Sequence, residues 1–259
     1  MKDMEGCVEM RRRQNQEANM PLMEHIRALR KVFLISAYAI AIGTVIGWIY
    51  SDEVYGFLAQ PVDVLPTEFI TITPMESILV KLKMSIVVGI VCAMPVIIWQ
   101  LWSFILPALK QNEKKYLYII VPSSLILFVA GICFGFFFVI PIGLQFLLYV
   151  GQEAVPTTSL LTKSSYLTFM IRFLLTFGTV FQLPVVLLLL IRMGLLSPNT
   201  LARYRKYAFF GIVVVIMLVS PTPDIITQGL MVLPTYMLYE ASIWIGYLIA
   251  KKREEALDG

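Results

Sequence analysis

Few side chains in this sequence could carry chemistry, and their spacing favours recognition and pairing over bond-making. The one histidine, His25, precedes the first apolar run, so no histidine is available within the apolar segments to activate a serine or water. Cys7, Cys92 and Cys133 stand alone, two of them inside apolar runs, with neither a disulfide framework nor a metal-ligand spacing. They read as small apolar fillers. The chain contains no His, Asp and Glu run spaced for a metal and no glycine-rich phosphate loop. The reading names no catalytic residue, no cofactor and no metal.

What remains is a short set of polar groups inside apolar runs: Lys81, Lys83, Arg172, Gln182, Gln228 and Glu240. Such groups are costly in lipid and face partners, water or one another. The lysines and Arg172 have stems long enough to snorkel. Glu240 sits ten residues inside the last apolar run, so it should pair or bind within the membrane.

The elements that must position these groups follow from hydropathy. Of 259 residues, 58% are apolar and 15% charged, with mean hydropathy +0.79, so a bilayer is the solvent. Spanning takes roughly 20 apolar residues per helix. Residues 1–19 are polar and mixed in charge and read as a disordered tail; 20–253 read as one membrane domain and 254–259 as a polar C-terminal tail. Spans are expected at 32–50, 78–102, 116–140, 166–191, 207–219 and 225–250. The first begins too late, and is too long, to be a cleaved leader. An ordered acidic loop with a short interfacial helix at 54–59 should follow it, and a second such loop should run from Pro141 to Ser165. The fifth span has only 13 residues and joins the sixth through the turn Ser220-Pro221-Thr222-Pro223-Asp224.

Lysine and arginine number seven before the first span, three in 103–115, four in 192–206 and three after the sixth, which is 17 of 21 on one side. The positive-inside rule places both termini in the cytoplasm. The fold class is therefore all-α, a polytopic bundle of six transmembrane helices, N-in and C-in. The net charge of +4 is too small and dispersed for nucleic-acid binding.

On this topology, several strings together resemble TatC, the core subunit of the twin-arginine protein translocase. They include residues 21–30 (PLMEHIRALR) before the first span, residues 94–109 (MPVIIWQLWSFILPAL) ending the second, and Glu113-Lys114-Lys115. Residues 177–185 (FGTVFQLPV), Arg205-Lys206-Tyr207, the turn ending at Asp224, Gln228 and Tyr239-Glu240 complete the set. The resemblance implies a receptor in the bacterial inner membrane for signal peptides bearing paired arginines. It further implies TatA- and TatB-like single-span partners, self-association in a complex, and export of folded proteins driven by the protonmotive force. Two guanidiniums are best held by carboxylates through bidentate, charge-assisted hydrogen bonds. By the resemblance, Glu113 is the main such carboxylate, in a site with Glu24, Arg30, Phe104, Pro107 and Lys110. Gln182, Gln228, Glu240 and Asp224 would be the intramembrane polar or partner contacts.

Two positions depart from the family pattern. Its second recognition glutamate falls at Ala28, and its membrane glutamate in the fourth span falls at Gln182. Were 21–31 helical, Glu24 would lie on one face with Ala28, one turn away. Two rival readings remain: a small-solute or proton-coupled transporter using Glu240, Gln228 and Arg172, and a scaffold subunit that reads no signal.

Overall fold

The structure, a computed structural model, describes the backbone at residues 2–63, 68–105, 117–154, 160–220 and 224–258, and side chains over most of them. Its helices are α1 (Lys2–Ile49), α2 (Ser51–Asp63), α3 (Pro74–Ile105), α4 (Leu117–Phe134), α5 (Ile140–Ala154), α6 (Lys163–Val180), α7 (Leu183–Arg192), α8 (Pro198–Arg203), α9 (Arg205–Val219) and α10 (Ile225–Asp258). A π-helical turn, Gly135–Val139, joins α4 to α5. Strands β1 (Glu68–Ile70) and β2 (Leu160–Thr162) pair in parallel, Phe69 opposite Leu161.

Among the described residues, four segments are long and apolar enough to cross a membrane: Ile26–Ile49, Pro74–Phe104, Ile119–Leu148 and Lys163–Arg192. Large apolar side chains face outward, as lipid permits: Leu218 is 81% and Ile225 87% exposed. The core gathers on α6, whose Tyr166, Met170, Phe173 and Phe177 recur at helical spacing and are at most 1% exposed. Each such aromatic or Met contributes roughly 1.5 to 3 kcal/mol in an aqueous reference, less against lipid.

Four stretches differ from what composition suggests. Helical backbone runs back to Lys2 through 2–19, where a disordered tail is expected; Glu, Arg, Gln and Met there are good helix formers. Pro141 does not end the third span. The π-turn shifts the ladder, Ile140 N–H bonding to the Gly135 carbonyl, just before the residue that has no N–H to give, and the helix continues to Ala154. The fourth span is broken between Val180 and Leu183, because Pro184 cannot donate to the Val180 carbonyl. The interfacial helix is longer than expected, Ser51–Asp63.

At the end of the bundle that carries β1 and β2, one side chain holds several elements. Glu76 accepts from Ile72 N–H at 3.0 Å and, across 88 residues of sequence, from Ser164 N–H at 2.9 Å. Thr162, the residue preceding α6, makes no side-chain cap, so Glu76 caps that helix from α3. Tyr166 adds a hydrogen bond to the Leu58 carbonyl.

Candidate functional site

The opposite end of the bundle is set by how α1 meets α3. A Cβ on Gly43 would lie 2.7 Å from the Gly89 carbonyl oxygen, and one on Gly47 2.6 Å from that of Ser85. The two backbones therefore touch, antiparallel, at two levels one turn apart. Continued fifteen residues back from Gly43 and fifteen forward from Gly89, the same register would set Ala28 level with Phe104. Glu24 lies one turn before Ala28 on α1, beyond that level.

Arg30 and Ala28 are exposed on α1 and Phe104 is half-buried near the end of α3. The Glu24 backbone is helical; its side chain lies outside the described residues, as do Pro107, Lys110 and Glu113 altogether. Among the described residues, the structure brings the stretch of α1 that carries Ala28 and Arg30 and the end of α3 that carries Phe104 to one end of the bundle.

Just inside that end lies a polar node. Trp102 Nε1 donates to Ser124 Oγ at 2.9 Å, and Gln182 Nε2 donates to the Ser124 carbonyl at 2.8 Å. It links α3, α4 and the break after α6. Ser124 is fully buried and Trp102 3% exposed, so each polar group replaces water it cannot reach. Gln182 sits at the opened turn, where its own N–H bonds to the Thr179 carbonyl at 3.0 Å. An amide can donate to a carbonyl there; an ionised carboxylate cannot. Sequence reading found Gln182 but neither partner. Trp102 belonged to a quoted string, while nothing distinguished Ser124 from any serine in an apolar run.

The next connection is tightly specified. Gly194, at φ 76°, closes α7 with Leu195 N–H bonding to the Leu190 carbonyl at 3.0 Å, the six-residue closure of a helix C-terminus. Ser197 then caps α8, its Oγ accepting from Thr200 N–H at 3.1 Å. Along α10, Tyr239 donates to the Leu201 carbonyl and Tyr247 to Asn199 Oδ1, both at 2.9 Å. Glu240 is flanked by these contacts. It accepts from Tyr236 OH at 2.9 Å and forms an ion pair with Arg205 Nε at 2.8 Å. Glu240 is therefore paired, alongside the α7–α9 connection, where Tyr239 also contacts Leu201.

At the far end of α10, Asp224 Oδ1 accepts from Thr227 N–H at 2.6 Å, an N-cap. Gln228, one turn on, is half-buried. These two are some four turns of α10 from Glu240. Gln182, Glu240 and the Asp224–Gln228 pair are therefore three separate features. Among the described residues no group of three His, Cys, Asp or Glu could hold a metal ion.

A family model described as Sec-independent protein translocase protein (TatC) matches residues 24–234, which include both carriers of the proposed carboxylates, the node and the α7–α9 connection. The TatC protein of Carboxydothermus hydrogenoformans is 42% identical over 233 residues, covering 90% of this chain and 95% of its own length. That of Aquifex aeolicus is 37% identical over 238 residues, 91% and 98%. A crystal structure of the twin-arginine translocase receptor TatC superposes with TM-score 0.78 at 36% identity, over 87% of this chain and 99% of that one. Fold, length and sequence agree, and the chain belongs to the TatC family of Sec-independent protein translocase components.

Proposed function

We propose that this multi-pass translocase component is the receptor of its system, taking twin-arginine signal peptides at the end of the bundle formed by the start of α1 and the segment after α3. The observation that carries the reading is the close antiparallel packing of α1 on α3 at Gly43–Gly89 and Gly47–Ser85, a register that, continued, would set Ala28 level with Phe104. The chain of residues from Phe104 through Pro107 and Lys110 to Glu113 then starts beside Glu24, Ala28 and Arg30. Glu113 is the principal carboxylate for a guanidinium, and Glu24 supplies a weaker second one in place of Ala28. Lys110 and Arg30 keep the rim cationic, and Phe104 offers an apolar flank.

In this reading residues 20–253 form six spans in the inner membrane, with α9 and α10 as the fifth and sixth. Both termini and the site face the cytoplasm, as the distribution of lysine and arginine favours. TatA- and TatB-like single-span proteins join it, and the protonmotive force drives transport. At about 22 Å, α9 is short of a hydrocarbon core of about 30 Å, so the bilayer beside it thins and offers those partners an edge. The transporter reading loses ground to one contact: Glu240, its main carboxylate, is engaged by Arg205 and Tyr236.

The test is crosslinking of a labelled twin-arginine signal peptide to the membrane-embedded chain, with a twin-lysine peptide as control. Selective crosslinks to residues around Glu113 and Glu24 support the receptor; equal capture of both peptides favours a scaffold that reads no signal.

A further inference from the structure

Four of the 21 lysines and arginines stand apart from the cationic face: Lys81, Lys83, Lys163 and Arg172. Lys81, Lys83 and Lys163 lie in the first halves of α3 and α6, toward the end of the bundle that carries β1 and β2, and Arg172 lies at the middle of α6. Positive charge is disfavoured on that side, so each needs an account. Lys81 is paired with Asp52 at 3.1 Å, and Lys163 lies 5.8 Å over the Tyr55 ring. Lys83 and Arg172 form no ion pair among the described residues.

These two flank one groove. Between α5 and α6 lies a cavity of about 440 Å³, walled by Leu144, Leu147, Leu148 and Phe169, with Thr168 and Arg172 on its α6 side. Lys83 Nζ donates at 3.3 Å to Ser164 Oγ and to Thr168 Oγ1, both hydroxyls on that same wall. Ser164, Thr168 and Arg172 follow one another at four-residue spacing, so a single helix face carries them. Arg172 lies nine residues into α6, about 13 Å from its start. Helical side chains tilt toward the N terminus, and the Arg172 stem is long enough to carry its guanidinium up the groove toward the level of Thr168. The result is an apolar slot in the lipid-facing surface with two cations and hydroxyl donors at its outer part. An anionic headgroup matches that upper part, and an acyl chain matches the leucine wall below.

We infer that this groove binds one anionic phospholipid of the outer leaflet, its phosphate held by Arg172 and Lys83 and one acyl chain lying between α5 and α6. The assignment to the outer leaflet rests on the proposed topology, whereas the groove itself is independent of the signal-peptide site, which concerns the other end of the bundle.

The test uses the full chain in detergent micelles doped with phosphatidylglycerol or with phosphatidylcholine of the same acyl chains, and native mass spectrometry of retained lipid. The parent retains phosphatidylglycerol selectively, and Arg172→Gln weakens that retention roughly tenfold, as loss of a charge-assisted contact should. Arg172→Lys keeps most of it, and Lys251→Gln, which removes a cation at the opposite end, changes nothing. Lys83→Gln leaves α6 intact and lowers retention several-fold, so the result does not hinge on folding of the Arg172 variant. A photoreactive residue at Leu147 should capture phosphatidylglycerol in the parent and lose it with Lys83→Gln. Equal retention of the two lipids by the parent, or undiminished retention in both Arg172→Gln and Lys83→Gln, overturns the proposal.

Discussion

Glu240 of α10 and Arg205 at the start of α9 form an ion pair at 2.8 Å, and Tyr236 donates to the same carboxylate oxygen at 2.9 Å. The contact ties α10 to the start of α9. Arg205 is 43% and Glu240 23% exposed by side chain, so solvent screens the pair. Glu240→Gln should therefore lower stability by under about 1 kcal/mol. Glu240→Leu also removes the acceptor of Tyr236 and should cost about 1 to 3 kcal/mol. Thermal unfolding of the full chain in one detergent checks the order, and a larger loss for Gln than for Leu would contradict it.

Gly89 has no room to grow. Its Cβ would lie 2.6 Å from the Thr44 backbone nitrogen and 2.9 Å from the Ile40 carbonyl oxygen, both backbone atoms that cannot turn aside. Gly89→Ala should part α1 from α3 and cost more than about 2 kcal/mol, whereas Gly211→Ala, with open space around it, should be neutral or mildly stabilising. Proteolytic susceptibility in proteoliposomes distinguishes the two variants. Equal resistance would refute the close packing, and with it the register that, continued, would set Ala28 level with Phe104.

The amide of Gln182 spans the broken helix to the Ser124 carbonyl. Gln182→Leu leaves the opened turn without that tie and should cost about 1 to 2 kcal/mol. Gln182→Glu should cost at least as much while ionised, because a carboxylate has no proton to donate, and less in acid, where the protonated group can donate. Unfolding of both variants at two pH values is the measurement; a Glu variant equally stable at both would break the account.

Much of this was legible in the sequence, and the failures have physical causes. Apolar runs and the distribution of lysine and arginine marked where the helices lie, because lipid imposes length and polarity directly. Proline is where the expected spans and the structure part. The third span is expected to end before Pro141, yet a π-turn absorbs its missing N–H; the fourth is expected to be continuous over 166–191, yet it breaks at Pro184, beside Gln182. Glu76 looked like one more loop carboxylate, since a cap supplied across 88 residues leaves no local signal. Ser124 was invisible for the same reason. Glu240 is expected to pair or bind within the membrane; it contacts Arg205, which lies in a quoted string, but that pairing depends on how α9 packs against α10 and leaves no local signal. The carboxylates of the proposed site came from family resemblance alone, and Pro107, Lys110 and Glu113 lie outside the described residues.

Orientation has its own test. Single cysteines replacing Asp63 or Thr157 should react with an impermeant thiol reagent from outside intact cells, and those replacing Gln111 or Asn199 only once the cytoplasmic face is opened. The 17-to-4 distribution of lysine and arginine motivates this expectation. Labelling at Gln111 from outside would invert the topology and remove the site from the face where signal peptides arrive.

The receptor claim rests most directly on Glu113, and the deciding measurement is a binding titration of a twin-arginine signal peptide against the parent, Glu113→Gln, Glu24→Gln and Ala28→Glu at two salt concentrations. One carboxylate holding a guanidinium in a partly shielded groove contributes about 1.5 to 3 kcal/mol, so Glu113→Gln should weaken binding roughly ten-fold to more than a hundred-fold. Glu24→Gln should cost less than about 1 kcal/mol, and the more so at high salt, because it lies along a solvated helix. Ala28→Glu should tighten binding and make Glu24 dispensable. Undiminished binding by Glu113→Gln would contradict the account and place the recognition site elsewhere.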